Sequence, residues 1–118
     1  MGVSGMKSDL VKIAAFDIEG DFSDPGAVWF GFLSAANALS TTVLKSSSFI
    51  FPGGGMTGVV ILAESHAAIH TWPEEGRAFV ELATCGSADD LDRFPAVLSD
   101  QGWRKPRQPA EGRRLDES

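Results

Sequence analysis

The sequence has a single cysteine and no long hydrophobic run, and these two absences already exclude several classes of protein. Cys85 alone cannot form a disulfide within the chain, which is typical of proteins in a reducing compartment. No segment approaches the roughly 18 continuous apolar residues that a membrane helix needs. The opening residues, MGVSGMKSDL, contain no apolar stretch of signal-peptide length. We therefore expect a cytoplasmic protein with no membrane partner.

Positive charge is also scarce. The 118 residues hold 10 Lys and Arg against 16 Asp and Glu, which gives a formal net charge of −6. An acidic protein repels the phosphate backbone of nucleic acids and attracts cations, so we expect no nucleic-acid partner and regard a cationic small molecule as a suitable ligand. The length fits a single domain, residues 1–118, and 43% hydrophobic residues are typical of a globular protein with one modest core.

Apolar and β-branched residues predict five strands and two helices. Asp24 can cap the first helix, and Pro25 suits its first position. A second helix can begin after Ser87, and Pro95 is expected to kink or split it. From residue 104 to 118, prolines and few apolar residues predict a loose tail, after a possible short strand near Trp103. The predicted strands are 10–18, 41–51, 57–63, 66–72 and 77–84.

The order of these elements predicts an α+β fold. It is a two-layer sandwich, in which two helices cover one face of a mainly antiparallel sheet. The other face of the sheet is then left without a cover. Because a large exposed apolar face is uncommon in a monomeric protein, we expect the chain to form a homodimer.

Three glycines satisfy a nucleotide-binding pattern. Gly53, Gly55 and Gly58 match G-x-G-x-x-G after a predicted strand. That loop needs a helix N-terminus next, so that backbone amides and the helix dipole meet the phosphates. Here VVILA follows, which is typical of a strand. We therefore favour a hairpin turn or an active-site loop over a nucleotide site.

Nitrogen, oxygen and sulfur donors gather in one short stretch, which holds His66, His70, Glu64, Glu74 and Cys85. Two His in a predicted strand with a single Cys match no structural zinc spacing, so we expect no metal and interpret each His as a hydrogen-bonded residue. Taken alone, the cysteine is best interpreted as a small buried hydrophobic residue. A Cys–His hydrolase pair stays open, although no third partner supports it.

One continuous string carries a specific resemblance. Residues 55–86 read GMTGVVILAESHAAIHTWPEEGRAFVELATCG. The string is similar to the core signature of bacterial, pyruvoyl-dependent S-adenosylmethionine decarboxylases: glycines, β residues, E-S-H, I-H-T-W-P-E, and a strand that ends in T-C-G. The match needs no gap and covers over a quarter of the chain. The chain therefore resembles the S-adenosylmethionine decarboxylase proenzyme family.

Proenzymes of that family cut themselves, and the resemblance implies cleavage between Glu64 and Ser65. The products would be a β chain of residues 1–64 and an α chain of residues 65–118. The serine hydroxyl attacks the preceding carbonyl, the resulting ester eliminates, and hydrolysis with loss of ammonia leaves a pyruvoyl group made from Ser65. This group replaces pyridoxal phosphate, so we expect no pyridoxal phosphate.

The resemblance also implies residues for processing and turnover. Thr57 and His70 match the positions that assist self-cleavage, and His70 is expected to act in turnover as well. The pyruvoyl group forms a Schiff base with the substrate α-amine and accepts electrons as carbon dioxide leaves. Cys85 matches the proton donor to Cα. The implied catalytic residues are Ser65, His70 and Cys85.

The implied substrate contacts are Phe51, Trp72 and Glu74, which can stack on a purine or face a cationic sulfonium. They favour S-adenosylmethionine, whose decarboxylated product donates an aminopropyl group for spermidine synthesis. Two alternatives stay open. One is decarboxylation of arginine or ornithine by the same chemistry, and the other is an uncleaved, noncatalytic relative that binds or regulates.

Two residues raise questions that the pattern does not answer. Ser65 and His70 are five positions apart and would face opposite sides of a straight strand, so the resemblance requires a bend near Ser65. Arg77 stands where the family commonly has an aromatic residue. It either enters the pocket, where it would repel a cationic substrate, or points to solvent, and we favour the solvent.

Overall fold

The computed structural model describes residues 10–106, which form five strands and two helices. In chain order these are β1 (Lys12–Glu19), α1 (Pro25–Asn37), β2 (Val43–Ile50), β3 (Met56–Leu62), β4 (Ser65–Trp72), β5 (Arg77–Thr84) and α2 (Asp89–Asp100), with a 3₁₀ turn at Pro73–Glu75. Neighbouring strands pair antiparallel in the order β1-β5-β4-β3-β2. The predicted α+β fold is confirmed.

Both helices begin near the residues that the sequence marks. Asp24 Oδ1 accepts the backbone N–H groups of Gly26 and Ala27, and Pro25 is the first helical residue, as predicted. Ser87 Oγ accepts the N–H of Asp89 at the start of α2. Of the kink or split expected at Pro95, the split is wrong, because α2 runs through Pro95 from Asp89 to Asp100.

The core lies between the two helices and one face of the sheet. Phe32 of α1 and Phe94 of α2 are both fully buried, and their rings meet edge-on with centroids 6.1 Å apart. Every second strand residue points into this layer, which is the alternation expected of a sheet covered on one side. The buried strand residues include Ile18, Val60, Ile69, Val80 and Leu82.

The opposite side of the sheet, here the open face, is covered by no element of residues 10–106. It is partly apolar, and Ile13 is 66% exposed. Its outward-facing residues, set by strand alternation and register, are Ile13, Ala15, Asp17, Glu19, Lys45, Ser47, Phe49, Thr57, Val59, Ile61, His66, Ala68, His70, Trp72, Arg77, Phe79, Glu81 and Ala83.

Past α2, the chain returns to the sheet. The backbone of Arg104 exchanges two hydrogen bonds with Glu19, at 2.7 and 3.1 Å, directly after the buried Trp103. The remainder of the predicted tail, residues 107–118, lies outside the described residues, so its looseness stays a prediction. Within residues 10–106, each helix is too short or too polar to cross a membrane.

Candidate active site

The bond marked for cleavage lies in the tight turn between β3 and β4. β3 ends at Leu62, β4 begins at Ser65, and Ala63 and Glu64 form the turn. Glu64 has a φ of 62°, the one positive φ of a non-glycine residue within residues 10–106. This left-handed conformation costs an L-residue about 1–2 kcal/mol, because its Cβ approaches a carbonyl oxygen. The backbone is therefore strained on the acyl side of the Glu64–Ser65 bond.

Residues that precede β2 hold this turn in place. The backbone N–H of Ala63 donates to the carbonyl of Thr42 at 2.9 Å. The hydroxyl of Thr41 donates to the carbonyl of Ala63, also at 2.9 Å. A strained backbone persists only where its surroundings fix it, and these two hydrogen bonds supply part of that fixation.

The end of β5 contacts both sides of the same peptide bond. The carbonyl oxygen of Glu64 accepts the backbone N–H of Cys85 at 3.0 Å. Ser65 Oγ lies 2.8 Å from Thr84 Oγ1, which accepts the N–H of Gly86 at 2.9 Å. A fixed N–H on a carbonyl oxygen is the kind of donor that stabilises a developing oxyanion. We call Glu64, Ser65, Thr84 and Cys85 the cleavage end of the site.

The thiol of Cys85 is exposed. Its interpretation as a small buried hydrophobic residue is therefore wrong. Cys85 comes one residue after β5 and is held by its backbone contact with Glu64. A thiol that transfers a proton to a substrate must be accessible to that substrate, and this position allows it.

His70 and Thr57 form a side-chain pair near the other end of β4. They are directly opposite each other in the register of β3 and β4, and Thr57 Oγ1 lies 3.1 Å from His70 Nδ1. Phe79, opposite His70 on β5, packs against the imidazole with ring centroids 6.4 Å apart. Thr57 and Phe79 thus fix the ring, and the contact with Thr57 uses Nδ1 and not Nε2.

A pocket of about 500 Å³ opens beside His70. This volume is in the range of small-molecule sites. Its walls bring together the three residues expected to contact substrate and the two expected to assist processing. We call these five residues the pocket end: Phe51, Thr57, His70, Trp72 and Glu74.

The cleavage end and the pocket end do not meet within one chain. β4 pairs with β5 from Ser65 to Trp72 without a shift in register, so the bend expected near Ser65 is absent from this described strand. Ser65 lies opposite the buried Thr84, on the helix-covered side, whereas His70 lies on the open face. Five residues of extended strand separate them by about 16 Å.

Residues 19–101 match the family model described as S-adenosylmethionine decarboxylase, and this range contains both ends of the site. The chain belongs to the S-adenosylmethionine decarboxylase family. The predicted resemblance is confirmed.

Members of the family with curated names are similar to a large part of the chain. The S-adenosylmethionine decarboxylase proenzymes of Pseudomonas aeruginosa and Pyrococcus furiosus are 40% identical over 90 residues and 42% identical over 84 residues. These matches cover 75% and 71% of this chain, and 56% and 60% of the relatives. The chain thus spans little more than half the length of the curated relatives it matches.

A solved structure from the family has a similar fold. The crystal structure of the adenosylmethionine decarboxylase from Aquifex aeolicus matches with a TM-score of 0.66 and 26% sequence identity. The match covers 89% of this chain and 96% of the Aquifex chain. The sheet and both helices are therefore those of the S-adenosylmethionine decarboxylase family.

Arg77, where the chain departs from the usual aromatic residue of the family, is held by an ion-pair cluster on the open face. Its Nη2 lies 3.1 Å from Glu19 Oε2, and its Nη1 lies 3.7 Å from Asp17 Oδ2. The side chain is only 18% exposed, so the expectation that it points to solvent is wrong. The two β1 carboxylates neutralise the positive charge beside the pocket end.

The family signature does not single out Thr84, which the structure places against the Ser65 hydroxyl. The contact arises from the pairing of β4 with β5, since Ser65 and Thr84 are directly opposite. The signal that could have identified it is its place in the T-C-G string, immediately before Cys85. A threonine that ends a buried strand is otherwise typical of core packing.

Within residues 10–106, the structure also bears on the other sites considered from the sequence. Gly58 lies within β3, where a Cβ would overlap the Trp29 ring, and a strand follows the glycine turn, as expected of a hairpin turn rather than a nucleotide loop. His66 contacts Glu81 at 3.4 Å, and in the described part of the chain no three metal-ligating side chains gather. Within one chain, Cys85 and His70 lie at different ends of the site and do not contact each other.

Proposed function

We propose that this chain is the proenzyme of a pyruvoyl-dependent S-adenosylmethionine decarboxylase, and that it cleaves itself between Glu64 and Ser65. The observation that carries the proposal is the hydrogen bond from the Cys85 N–H to the Glu64 carbonyl, at a residue of positive φ and next to the Ser65 hydroxyl. A nucleophile, an oxyanion donor and a strained acyl residue meet at one peptide bond. Family membership and the proenzyme names of the relatives support this assignment.

Self-cleavage begins as an acyl shift from nitrogen to oxygen. Ser65 Oγ bonds to the Glu64 carbonyl carbon, the C–N bond breaks, and the hydroxyl proton ends on the released amine. The Cys85 N–H stabilises the charge that develops on the carbonyl oxygen, and such a donor contributes about 10²–10³ in rate. Elimination at Ser65 then breaks the ester and frees Glu64 as the C-terminus of the β chain. Hydrolysis with loss of ammonia completes the cofactor.

The residues at the cleavage end fit a pyruvoyl group. Ser65 supplies its carbon atoms, and Thr84 and Cys85 flank the new N-terminus of the α chain. When formed, the group supplies the electron sink that pyridoxal phosphate provides in other decarboxylases. The exposed Cys85 thiol can then deliver a proton to Cα of the product.

The distance between the two ends leads us to propose a shared site. A general acid or base must come within hydrogen-bond distance of the reacting group, and about 16 Å of paired strand separates Ser65 from His70. We propose that two copies pack open face against open face. The Ser65 side chain itself points to the helix-covered side, so the cleavage end of one copy meets the pocket end of its partner through Glu64 and Cys85, which lie just beyond the ends of the strands.

The open face supports this packing. It exposes Ile13, Phe49 and Ile61, which a second sheet would remove from water. A two-fold contact is self-complementary, so each copy offers its cleavage end where its partner offers a pocket end. Because the two ends lie at opposite ends of one central strand, a single antiparallel packing completes two equivalent sites.

The pocket end favours S-adenosylmethionine as the substrate. Phe51 and Trp72 offer aromatic faces for a purine or a sulfonium cation, and Glu74 offers a carboxylate. Arg77 does not oppose a cationic substrate, because its charge is balanced by Asp17 and Glu19. The decarboxylated product would be an aminopropyl donor for spermidine synthesis.

Intact mass and carbon dioxide release test the proposal together. Purified protein is expected to contain two chains, residues 1–64 and 65–118, and to release carbon dioxide from S-adenosylmethionine in preference to arginine and ornithine. A single uncut chain after prolonged incubation would contradict the proenzyme. Cleaved protein that acts only on arginine or ornithine would contradict the substrate and leave self-cleavage standing.

A further inference from the structure

The side chain of Thr84 lies where the two groups that react in the proposed cleavage come together. It ends β5 directly opposite Ser65, and it is 2% exposed. Its Oγ1 lies 2.8 Å from Ser65 Oγ and accepts the backbone N–H of Gly86 at 2.9 Å. A hydroxyl this far from water depends on its protein partners for hydrogen bonds.

Both contacts of this hydroxyl affect the same peptide bond. The contact with Ser65 selects one rotamer of the nucleophile, since a serine side chain otherwise samples three staggered positions. The contact with Gly86 holds the backbone just beyond β5, and from this segment the Cys85 N–H reaches the Glu64 carbonyl. One hydroxyl therefore connects the attacking oxygen to the backbone that carries the oxyanion donor.

We propose that Thr84 is a positioning residue for self-cleavage, which orients the Ser65 hydroxyl and fixes the Cys85 N–H on the Glu64 carbonyl. The inference rests on the proposed function, because it concerns the cleavage step of that proenzyme. Thr84 itself forms and breaks no covalent bond: the acyl group moves from nitrogen to Ser65 Oγ, and the hydroxyl proton moves to the released amine. A threonine oxygen has two lone pairs, so it can accept from Ser65 and Gly86 together.

Thr84→Val is the direct test, because valine keeps the shape of threonine and lacks the hydroxyl. Each chain is made by cell-free synthesis, and the cleaved fraction is followed over time by mass spectrometry. We expect Thr84→Val to slow cleavage about 10- to 100-fold, through the lost hydrogen bond and the displaced Cys85 donor. Thr84→Ser keeps the hydroxyl and is expected to cleave within about threefold of the wild-type rate.

Val80→Ala is the matched control, since Val80 is fully buried on the same strand and face and has an apolar side chain. It is expected to lower thermal stability and to cleave at the wild-type rate. Circular dichroism verifies that each variant is folded. If Thr84→Val does not fold, Thr84→Cys takes its place, because a thiol is of similar size and accepts hydrogen bonds more weakly than a hydroxyl. The same slowing of cleavage is expected for Thr84→Cys.

The outcomes separate this inference from the function on which it rests. Cleavage of Thr84→Val at the wild-type rate would overturn the positioning role and leave self-cleavage intact. Equal slowing of cleavage in Val80→Ala and Thr84→Val would also overturn the positioning role, because loss of stability would then explain the slower cleavage. A wild-type chain that stays uncut would overturn the proposed function together with this inference.

Discussion

The two ends of β4 differ in what holds their functional groups in place. At the cleavage end, backbone hydrogen bonds and a buried hydroxyl fix a strained turn, with the closest contacts between 2.8 and 3.0 Å. At the pocket end, side chains line a space of about 500 Å³, and His70 and Thr57 form the polar pair. The first arrangement suits a reaction within the chain. The second suits the entry of a small molecule.

The comparison also shows that each end lacks what the other has. The cleavage end holds the proposed nucleophile and oxyanion donor, whereas His70 and the side chains proposed to contact substrate lie at the pocket end. Because the strand between them is regular, one chain cannot bring the two together without breaking the sheet. In the proposed dimer, a second copy supplies the missing half and the sheet stays intact.

The largest effect is expected from two histidines that share a strand and a face. His70 lines the pocket and is fixed by Thr57. His66, four residues before His70 on the same strand, instead contacts Glu81. Because His70 is expected to assist self-cleavage as well as turnover, His70→Ala should leave most of the chain uncut and lower carbon dioxide release from S-adenosylmethionine about 100-fold or more. His66→Ala is expected to change it less than about threefold. Steady-state carbon dioxide release measures both, and an equal loss in the two variants would remove the distinction between them.

A smaller effect is expected from relief of strain at the cleavage end. In a Ser65→Ala background, which stays uncut, Glu64→Gly should raise the free energy of unfolding by about 1 kcal/mol, because glycine adopts a positive φ without a steric cost. Glu64→Ala is the matched control, since alanine keeps the Cβ and the strain. Urea denaturation compares the three chains, and equal stability of the glycine and alanine variants would show that the turn stores no strain.

The smallest effect is expected at Arg77. Arg77→Gln should lower the free energy of unfolding by about 0.5–1 kcal/mol at low salt, because Asp17 and Glu19 lose their counter-charge. The difference should shrink at high salt, where exposed charges are screened. KM for S-adenosylmethionine should stay within about twofold, because the Arg77 guanidinium contacts Asp17 and Glu19 and is not expected to contact the substrate. A large rise in KM at unchanged stability would instead place Arg77 in substrate binding.

Much of the fold could be predicted from local patterns. β-branched runs indicate the strands, and the Asp24 cap with Pro25 indicates the start of α1, because these signals act within a few residues. The uncovered face also follows from one layer of helices on one sheet, whereas the strand order is known only from the structure. Four of the five residues of the pocket end could be named because the family signature contains them in one continuous string, and Phe51 lies four residues before that string.

The remaining features depend on pairing between distant segments. The Arg77 ion pairs require β1 to lie beside β5, and the contact between Thr84 and Ser65 requires the register of β5 on β4. Side chains alternate along β4, so Ser65 and His70 of one chain could serve the same site only if the strand bent near Ser65, and this is why a bend is predicted there. The strand is regular, and the separation of Ser65 from His70 follows from that regularity.

Co-expression of two inactive chains tests the shared site most directly. Ser65→Ala and His70→Ala chains with different tags are expected to be inactive alone. Together they should form heterodimers with one intact site, in which the His70→Ala chain is cleaved by the partner's pocket end. About a quarter of wild-type activity should return, since half of the dimers are mixed and each has one working site. Cleavage of the His70→Ala chain only when the Ser65→Ala chain is present is the predicted result. Two uncut, inactive chains in verified heterodimers would contradict the account.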